Sequence, residues 1–376
     1  MALDSVKVLE IRLRLESPLI LTRRRTATGF LSPLRYIPST TLRGALVTAL
    51  YREGYLDAAQ LKKEKLSPEI VSSPAYPVSG GARTVPAHPF ISKCKQCGEI
   101  VGEKSIRDLE RRLVDGDGFG WSVECDKGHR ALRPLHPNEF LTVVNGEFRA
   151  DKKMLGEKRE GSSADDDRGP RELYSVSVAI SKSRASGVKG LLYHYEALSP
   201  GLEYWATVAV PGSIDFPRSK FVLHVGRGVS RGFGMVETWV VGGRSVKNMS
   251  NGCRVLYALS PTLDMSNPSQ PSTFPRVIDL SRAAAKFGLM SNTVVRVVRV
   301  FGRMMWISLG WDLASGVPRP WVVGRAGGSL LVLERDCSDE ALGALAYLGT
   351  VESVGEGFLP GFNMLVPLKE LVHYAS

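Results

Sequence analysis

Apolar and charged residues alternate at the start of the chain and predict a β-strand. In 9-LEIRLRL-15 every odd-numbered residue is leucine or isoleucine and every even-numbered residue is charged. This period of two is expected of a half-buried strand. Farther along, the apolar residues of 42–50 repeat at intervals of three and four, with Ser39 to Thr41 as possible caps and Gly54 as a stop. They predict a helix of about three turns.

Further apolar runs predict the remaining strands and helices. The first half has strand-like runs at 174–180, 204–210 and 235–241, and the glycine-rich segment 242–252 is typical of a domain boundary. The second half is predicted to contain strands at 253–261, 293–302, 304–311, 329–334 and 362–368, with helices at 279–288 and 339–349. The predicted domains are 1–241 and 253–376.

A glycine motif occurs twice, and the two copies are similarly placed. The segments 226-GRGVSRGFG-234 and 355-GEGFLPGFN-363 share the pattern GxGxxxGF at an offset of 129 residues, and an apolar run follows each. Two similar halves imply a duplicated domain. The predicted order of elements is that of a ferredoxin-like βαββαβ unit, with a short or absent second helix in the first half. The predicted fold class is therefore α+β, with two tandem ferredoxin-like (RRM-like) domains.

Two segments interrupt this pattern in the first half. Residues 86–136 contain prolines and a Cys/His cluster, which indicates a small inserted module. Residues 151–172 are polar, charged and nearly free of large apolar side chains, and they predict a mobile loop or linker. Its acidic run, Asp165 to Asp167, is typical of a solvated charge run rather than a metal site.

The inserted module carries a metal-binding pattern. Cys94 and Cys97 form a CxxC knuckle, and Cys125 and His129 are separated by three residues. Four nitrogen and sulfur ligands complete a tetrahedral zinc site with no open position, so the site is predicted to be structural. The alternatives are three buried thiols without metal, or His88 or His136 replacing His129. Cys253 and Cys337 are predicted to be isolated and packed in strands.

Charge indicates a polyanionic partner. The chain has 49 Lys and Arg against 38 Asp and Glu, and the basic residues cluster in the acid-free stretches 17–52, 173–195 and 216–236. A generic basic surface is the alternative. No apolar window is long enough to span a bilayer and the N-terminus lacks a secretory pattern, so we expect a cytoplasmic protein.

The first glycine segment, 226–234, is the strongest candidate for an anion site. Its backbone N–H groups can approach phosphate oxygens, and Arg227 and Arg231 can add fork-shaped contacts. A purely structural tight turn is the alternative. Phe233 can stack on a base, although its match to Phe362 favours a core position. The arginine run Arg23 to Arg25 is either an RNA contact or a solvated charge run.

The motifs together resemble a known family. The segments 226–234, 27–46, 184–204 and 324-GRAGGSLLVLE-334 are similar to RAMP proteins of CRISPR–Cas ribonucleoproteins. The resemblance is greatest to the two-domain subunit that caps the crRNA 5′ handle in type III complexes, especially the type III-D form. It implies that the hairpin 182–204 is a thumb beside the first kinked guide nucleotide.

The resemblance also implies partners and RNA contacts. The expected partners are crRNA, target RNA indirectly, the large polymerase-type subunit and the RAMP backbone subunits, in antiviral defence. Glu356 stands where the first loop has Arg227, so the second loop is expected to pack structurally or against a protein neighbour. The residues predicted to contact RNA are Arg23, Arg24, Arg25, Arg43, Lys182, Arg184, Lys189, Gly226, Arg227, Gly228, Ser230, Arg231, Gly232 and Phe233.

We expect no catalysis by this chain, because candidate acid–base groups are few. His194 lies in the predicted thumb, and His224, within 221-FVLHV-225, is expected to be a satisfied core residue. Asp264 is a weak candidate for a cleavage aspartate. Three functions stay open at this point: a non-catalytic guide-binding subunit, a crRNA-processing endoribonuclease of the same superfamily, and a purely structural assembly subunit.

Overall fold

The computed structural model describes most of the chain and shows a mixed α/β fold built mainly from antiparallel sheets. The described residues are 6–25, 29–116, 124–136, 138–150, 172–181, 183, 186–246, 252–267, 271–312, 316–350, 353–354, 357–358 and 360–375. The predicted loop at 151–172 therefore lies outside them, apart from Glu172. Within these ranges, no helix is both long and apolar enough to cross a membrane.

The first half contains sixteen strands and three helices among the described residues. Its opening elements are β1 (Val6–Leu15), β2 (Thr22–Arg25), β3 (Gly29–Pro33), α1 (Ser39–Arg52), α2 (Ala58–Leu66), β4 (Val71–Ser72), β5 (Tyr76–Ser79) and β6 (Ala82–Pro86). Next come β7 (Ile91–Cys94), β8 (Ile100–Gly102), α3 (Ile106–Asp115), β9 (Leu132–Pro134), β10 (Phe140–Val144) and β11 (Glu147–Arg149). The half ends with β12 (Glu172–Ser181), β13 (Ser186–Leu198), β14 (Glu203–Pro211), β15 (Phe221–His224) and β16 (Met235–Arg244).

The second half contains eleven strands and three helices among the described residues. It begins with β17 (Cys253–Ala258), β18 (Val277–Asp279), α4 (Ser281–Lys286), β19 (Val294–Phe301), β20 (Met304–Ser308), β21 (Trp311–Asp312) and β22 (Val317–Pro318). It ends with β23 (Trp321–Arg325), β24 (Leu330–Cys337), α5 (Leu342–Leu348), β25 (Ser353–Val354), β26 (Gly357–Phe358), β27 (Leu365–Pro367) and α6 (Leu371–Ala375).

The main sheets of the two halves share one strand order. In the first half β4, β14, β1 and β16 are successive neighbours, and in the second half β19, β24, β17 and β27 are. All of these pairs are antiparallel. In each half the order along the sheet is therefore second, third, first and fourth strand. Each glycine segment immediately precedes the fourth strand.

Helix α1 covers one face of the first sheet, as its apolar spacing predicts. Its buried residues include Leu42, Ala45, Leu46, Ala49 and Leu50. The predicted cap at 39–41 is wrong in one respect, because the N-terminal flanking residue is a proline and no side chain caps the helix.

The Ser39 hydroxyl instead donates a hydrogen bond of 2.7 Å to the Gly361 carbonyl. The start of α1 therefore serves as a contact between the two halves. At the other end the chain leaves the helix through Gly54 at φ +80°.

Three large apolar cores and two small ones lie among the described residues, and one of the large cores is shared between the halves. One core lies between α1 and the first sheet, and another lies between α4, α5 and the second sheet. The shared core lies against the faces of the two sheets that their helices leave uncovered, as β24 shows. Leu331 and Leu333 belong to the core of the second half, whereas Leu330 and Val332 face the shared core.

The segment between β6 and β12 contributes to this shared core. Helix α3 buries Ile106, Leu109 and Leu113 there, and Phe148 of β11 stacks 6.0 Å from the ring of Tyr257. Arg299 of the second half donates a 2.6 Å hydrogen bond to the Leu113 carbonyl. The inserted segment is therefore packed between the halves over part of its length.

A long hairpin stands beside the first sheet. Strands β12 and β13 pair antiparallel, and with β3 and β2 they form a four-stranded sheet. The predicted thumb at 182–204 overlaps this hairpin, but the strands lie at 172–181 and 186–198 and residues 203–204 already belong to β14. The strand-like run at 174–180 is therefore the first arm of the same hairpin.

Candidate metal centre and nucleic-acid interface

Four side chains of the inserted segment converge on one point. Cys94 is the last residue of β7, Cys97 follows in a tight turn, and Cys125 and His129 lie in the loop before β9. Their four ligand atoms all lie within 4.8 Å of one another. Strand β7 pairs with β8 and β9, so a small three-stranded sheet fixes the positions of both ligand loops.

The distances between ligand atoms fit a tetrahedral zinc ion. Cys97 Sγ and Cys125 Sγ are 3.7 Å apart, and His129 Nδ1 lies 3.7 Å from Cys94 Sγ and 3.5 Å from Cys125 Sγ. Zinc–sulfur bonds of about 2.3 Å and zinc–nitrogen bonds of about 2.0 Å at the tetrahedral angle give about 3.8 Å between sulfurs and about 3.6 Å from sulfur to nitrogen. These three distances match a tetrahedral zinc site, so the cluster could hold the ion.

The backbone around the ligands is shaped for such a site. Gly98 and Gly128 follow the two cysteine turns at φ +73° and +76°, and their N–H groups bond to the Cys94 and Cys125 carbonyls. Burial raises the pKa of the Cys94 thiol, but hydrogen bonds from the N–H groups of Cys97 and Gln96 outweigh it. The resulting pKa is about 6, which favours the metal-binding thiolate.

The other nearby histidines are not part of the cluster. His88 is fully buried with its ring 4.5 Å from that of Phe148, and burial lowers its pKa to about 3. His136 Nδ1 accepts a hydrogen bond from the Asn138 N–H group. Of these three histidines, His129 is the one that lies in the cluster. Cys253 and Cys337 are buried in strands as expected, but they are cross-strand partners of each other.

The first glycine loop, 226–234, projects from the first sheet between β15 and β16. Its glycines 226, 228, 232 and 234 all have φ between +75° and +84°. A Cβ on Gly226 would lie 2.5 Å from the Ile20 carbonyl oxygen, and one on Gly234 would lie 2.0 Å from that of Val225. The glycines therefore allow this tight loop to pass close to its neighbours.

Arginine and aromatic side chains meet on this loop. Arg227, Ser230 and Arg231 are exposed. The Arg231 guanidinium donates a hydrogen bond to the Tyr195 hydroxyl and lies 5.8 Å from the centre of its ring. Tyr195 is on β13, so the loop and the hairpin are in direct contact. An exposed guanidinium held in one position by an aromatic ring suits a phosphate contact.

Phe233 occupies a half-buried position within this group. Its ring is 6.2 Å from that of Tyr195, and it packs against Ile20 and Ala197. A Cβ on Gly228 would lie 3.1 Å from the Phe233 ring. Phe233 therefore anchors the loop, in agreement with the core alternative considered for it.

The structure gives partial information on the other basic residues predicted to contact RNA. The backbone of Arg23, Arg24 and Arg25 runs through β2, in the sheet that contains the hairpin, and their side chains lie outside the described residues. Lys182 and Arg184 are outside the described residues. Lys189 is on β13, and its side chain is not among those described.

Arg43, another residue predicted to contact RNA, is bonded within the chain. Its side chain is 17% exposed, and it donates hydrogen bonds to the Ile70 carbonyl at 2.8 Å and to Glu64 Oε2 at 2.5 Å. Burial lowers its pKa, although the Glu64 carboxylate opposes this. Arg43 therefore ties α1 to α2 and to the start of β4. These contacts give it a structural role, and its contact with RNA stays a prediction.

The end of the second glycine loop has the same backbone geometry in a buried setting. Gly361 and Asn363 align with Gly232 and Gly234 and have φ of +94° and +53°. Phe362 is buried, and a Cβ on Gly361 would lie 2.4 Å from the Ser39 hydroxyl oxygen. This end of the loop packs against the first half. Residues 355, 356 and 359, which include Glu356, lie outside the described residues.

The candidate acid–base groups are distributed rather than assembled. His224 is exposed, which corrects the expected core position, because β15 alternates and places Phe221 and Leu223 inward. Asp264 accepts bonds from the backbone and hydroxyl of Ser266. His194 Nδ1 lies 2.5 Å from the Tyr174 hydroxyl across the hairpin. This pair was not predicted, and alternation along 172–176 and 194–198 is the signal that places both side chains on one face.

Tyr195 is the main interface residue that sequence reasoning missed. It lies inside the basic stretch 173–195, but no charge or glycine marks it. A basic stretch of the second half, 280–333, was also not predicted. It contains one acidic residue, Asp312, and seven basic residues: Arg282, Lys286, Arg296, Arg299, Arg303, Arg319 and Arg325.

No protein-family model and no curated protein matches the chain. Among solved structures, a chain of type III-B Cmr-beta bound to cognate target RNA is 11% identical, with a TM-score of 0.47 and 86% of each chain covered. A chain from Cmr-beta bound to target RNA and AMPPnP is 12% identical, with a TM-score of 0.46 and the same coverage.

Cmr4 from Pyrococcus furiosus is 14% identical with a TM-score of 0.25, covering 64% of this chain and all of that one. Similarity at this level does not by itself assign a fold family or a function.

Proposed function

We propose that this chain is a non-catalytic RNA-binding subunit of a type III CRISPR ribonucleoprotein, in which it binds and caps the crRNA 5′ handle. The observation that carries the proposal is the exposed loop 226–234, which presents Arg227 and Arg231 beside the β12–β13 hairpin. The sequence resemblance to handle-capping RAMP subunits supplies the identity of the RNA. Within that group we propose the type III-D form, on the basis of the sequence resemblance.

Each half is then a ferredoxin-like RAMP domain, and the inserted segment is a zinc knuckle. The shared strand order of the two main sheets and the position of each glycine segment before the fourth strand support the first statement. The tetrahedral spacing of the cysteine and histidine ligand atoms supports the second.

The zinc would stabilise the fold of the inserted segment. It would take no part in catalysis, because its coordination would be completed by Cys94, Cys97, Cys125 and His129. In the assembled ribonucleoprotein, the large polymerase-type subunit and the first backbone subunit are the expected neighbours. Antiviral defence in the cytoplasm is the expected setting.

Sequencing of co-purified RNA tests the proposal. The chain is purified with its native partners as wild type, as Arg227→Ala/Arg231→Ala, and as Arg111→Ala/Arg149→Ala. The control removes one exposed arginine on α3 and one on β11, whose side chains are 66% and 57% exposed. We expect one repeat-derived 5′ end in the wild type and the control, and depletion of that RNA in the loop variant.

The salt dependence of RNA binding separates phosphate contacts from loss of fold. Loss of two phosphate contacts should reduce the slope of log K against log salt by about 1.4, because each contact to a single strand contributes about 0.7. Affinity for the handle should fall at least about tenfold, as expected for two charged hydrogen bonds. Unchanged RNA ends and an unchanged slope would favour the purely structural assembly role.

A second candidate function, crRNA processing, rests on the Tyr174–His194 hydrogen bond. A histidine whose Nδ1 is held by a phenol is in a position to exchange a proton through Nε2. Incubation of the purified chain with repeat RNA in EDTA tests this role. Cleavage that His194→Ala abolishes and His224→Ala leaves intact would replace the non-catalytic proposal.

A further inference from the structure

The second half carries an exposed apolar surface on a two-stranded ribbon. Strands β20 and β23 pair antiparallel as a continuation of the β19–β24 hairpin. One face of this ribbon, called the ribbon face, consists of Met304, Trp306, Trp321 and Val323. Their exposed fractions are 62%, 65%, 51% and 38%. Large apolar side chains exposed together mark an interaction site in a soluble protein.

The register makes these four side chains one surface. Trp306 is directly opposite Val323, and Trp321 is directly opposite Ser308. Side chains of directly opposite residues lie on the same face of a sheet, so the two tryptophans are diagonal neighbours. Both tryptophans therefore lie on the same face of the ribbon, with Met304 at one end.

The ribbon is fixed in place by its other face and by one of its edges. Ile307 is buried in a small core with Leu263, Met265 and Phe362. Arg325 exchanges two backbone hydrogen bonds of 2.9 Å with Thr262. The ribbon face is therefore held in position before any partner binds, which lowers the entropy cost of docking.

The stretch of sequence that contains the ribbon is predominantly basic. Between Leu280 and Leu333 the sequence has seven basic residues and a single acid, Asp312. Arg303 and Arg319 flank the two strands. A complementary partner must therefore present acidic groups around an apolar centre. With a net charge of +11, a second copy of this chain is a poor partner.

The composition favours a protein over a nucleic acid. Protein interfaces are enriched in Trp, Met and Arg and depleted in Lys, Glu and Asp, as this ribbon is. Arg325 already donates to the Gly302 carbonyl at 2.7 Å, and Arg299 donates to the Leu113 carbonyl. These two guanidinium groups are held within the chain, which leaves Arg303 and Arg319 beside the two strands, fewer cations than a run of phosphates along single-stranded nucleic acid would require.

We propose that the ribbon face is the docking site for a second protein, whose apolar patch is bordered by carboxylates. Trp306 and Trp321 are the anchors, and Arg303 and Arg319 pair with the acidic border. The proposal concerns a surface outside the glycine loop and does not rest on RNA binding by that loop.

Site-specific photocrosslinking in the native ribonucleoprotein identifies what covers this face. The photoreactive amino acid p-benzoylphenylalanine replaces Trp306 and, as a control, Leu66, whose side chain is 69% exposed on α2. Mass spectrometry then maps the crosslinked peptides. We expect crosslinks from position 306 to one protein, at a segment rich in Asp or Glu, and none to that segment from position 66.

Substitution measures the contribution of the anchors. The partner found by crosslinking is purified, and its dissociation constant is measured for the wild type, Trp306→Ser/Trp321→Ser and the control Met290→Ser, which is 98% exposed elsewhere. We expect the double variant to bind at least about thirtyfold more weakly and the control to match the wild type. Arg303→Glu/Arg319→Glu should also weaken binding, and more strongly at low salt.

Other results would overturn the proposal. Crosslinks from position 306 to RNA would make the ribbon a stacking platform for nucleic acid, and crosslinks to a second copy would make it a homotypic contact. No crosslink, or equal binding by the tryptophan variant and the wild type, would show that the face is uncovered. The 5′ ends of the bound RNA in the same preparations report separately on the glycine loop.

Discussion

The two halves of the molecule share a strand order but differ in what holds them together. The second half has an apolar core between its sheet and helices α4 and α5. The first half adds a cysteine–histidine cluster and buried ion pairs, such as Arg43 with Glu64 and Arg83 with Glu10. In both halves the largest additions lie between the second and third strands: the inserted segment and hairpin in one, the tryptophan ribbon in the other.

This difference shows which features belong to the repeated unit. Backbone geometry at the end of the two glycine loops is common to both copies, since Gly361 and Asn363 have positive φ like the aligned Gly232 and Gly234. The two loops differ in solvent exposure: the first loop is exposed, whereas the described end of the second loop is buried against Ser39. The repeated motif therefore specifies a turn, and the residues between the glycines determine whether it faces a ligand or a neighbouring element.

Zinc removal should have the largest effect on stability. The effect should be confined to the first half and the shared core. In Cys94→Ser/Cys97→Ser we expect loss of one zinc per chain and several kcal/mol of unfolding free energy, because structural zinc supplies folding energy directly. Metal analysis and hydrogen exchange measure the two effects. Exchange should rise across 91–134 and change much less in the core of β17, β24 and α5.

Lys95→Ala is the matched control for zinc removal. Lys95 is exposed in the same turn, and its side chain offers no ligand atom to the cluster. It should keep its zinc and its stability. Full zinc content in the double cysteine variant, or equal protection from exchange after chelation, would contradict the metal centre.

The next prediction separates the two kinds of arginine in the first half. Arg43→Ala leaves the Glu64 carboxylate, whose side chain is 4% exposed, with only the backbone N–H groups of Glu69 and Ile70 as donors. We expect a loss of about 3–5 kcal/mol in unfolding free energy, as for one broken half of a buried ion pair. Denaturant unfolding measures this loss.

Arg231→Ala is the comparison for Arg43→Ala. Its unfolding free energy should change by about 0.5 kcal/mol or less, as for an exposed residue, while its RNA affinity falls. Arg43→Ala should bind RNA with the wild-type salt slope at temperatures where it is folded. A stable Arg43→Ala variant with a reduced salt slope of RNA binding would show that Arg43 contacts RNA.

Acid should weaken the shared core through His88. Burial lowers the folded-state pKa of His88 to about 3, from an ordinary value of 6.5. Between these values the unfolded chain binds the proton and the folded chain does not, so stability is lost as the pH falls below about 6.5. The loss at pH 5 should be about 2 kcal/mol, from 1.36 kcal/mol per pH unit.

His88→Phe isolates this contribution. The variant and the wild type share every other titrating group, the zinc ligands included, so the difference between their pH profiles reports His88. We expect the two curves of unfolding free energy to run parallel above about pH 7 and to diverge below about pH 6.5. Parallel curves down to pH 4 would show that His88 is accessible to protons in the folded state.

Periodic elements could be predicted from the sequence because their patterns are local. The alternation in 9–15 and the helical spacing in 42–50 both correspond to observed elements. Helix α3 was missed although its signals are present. Ser105 caps its first turn, and Gly116 ends it in the left-handed conformation.

Residue roles that depend on a distant partner could not be predicted in this way. The partner of Arg43 is on another helix, and the partner of Ser39 is more than 300 residues away in sequence. The cluster of three cysteines and one histidine could be predicted because the spacing of two short motifs already limits its geometry. The ribbon face was not identified, since strand-like runs of apolar residues do not reveal which face lacks a covering layer.

The smallest predicted effect compares the aligned glycines of the two loops. Gly232→Ala places a Cβ in open space at φ +84°, whereas Gly361→Ala places one 2.4 Å from Ser39 Oγ and 2.6 Å from its Cβ at φ +94°. Left-handed backbone alone costs about 1 kcal/mol, and we expect about 1 kcal/mol more for Gly361→Ala because the contact with Ser39 must open. Thermal unfolding measures both variants.

Ser39→Gly provides the test of that cause. It removes the side chain that a Cβ at position 361 would meet, together with the hydrogen bond to the Gly361 carbonyl. The Gly361→Ala substitution should therefore cost about 1 kcal/mol less in the Ser39→Gly background than in the wild type. Additive effects would show that the two loops differ in backbone strain rather than in what packs against them.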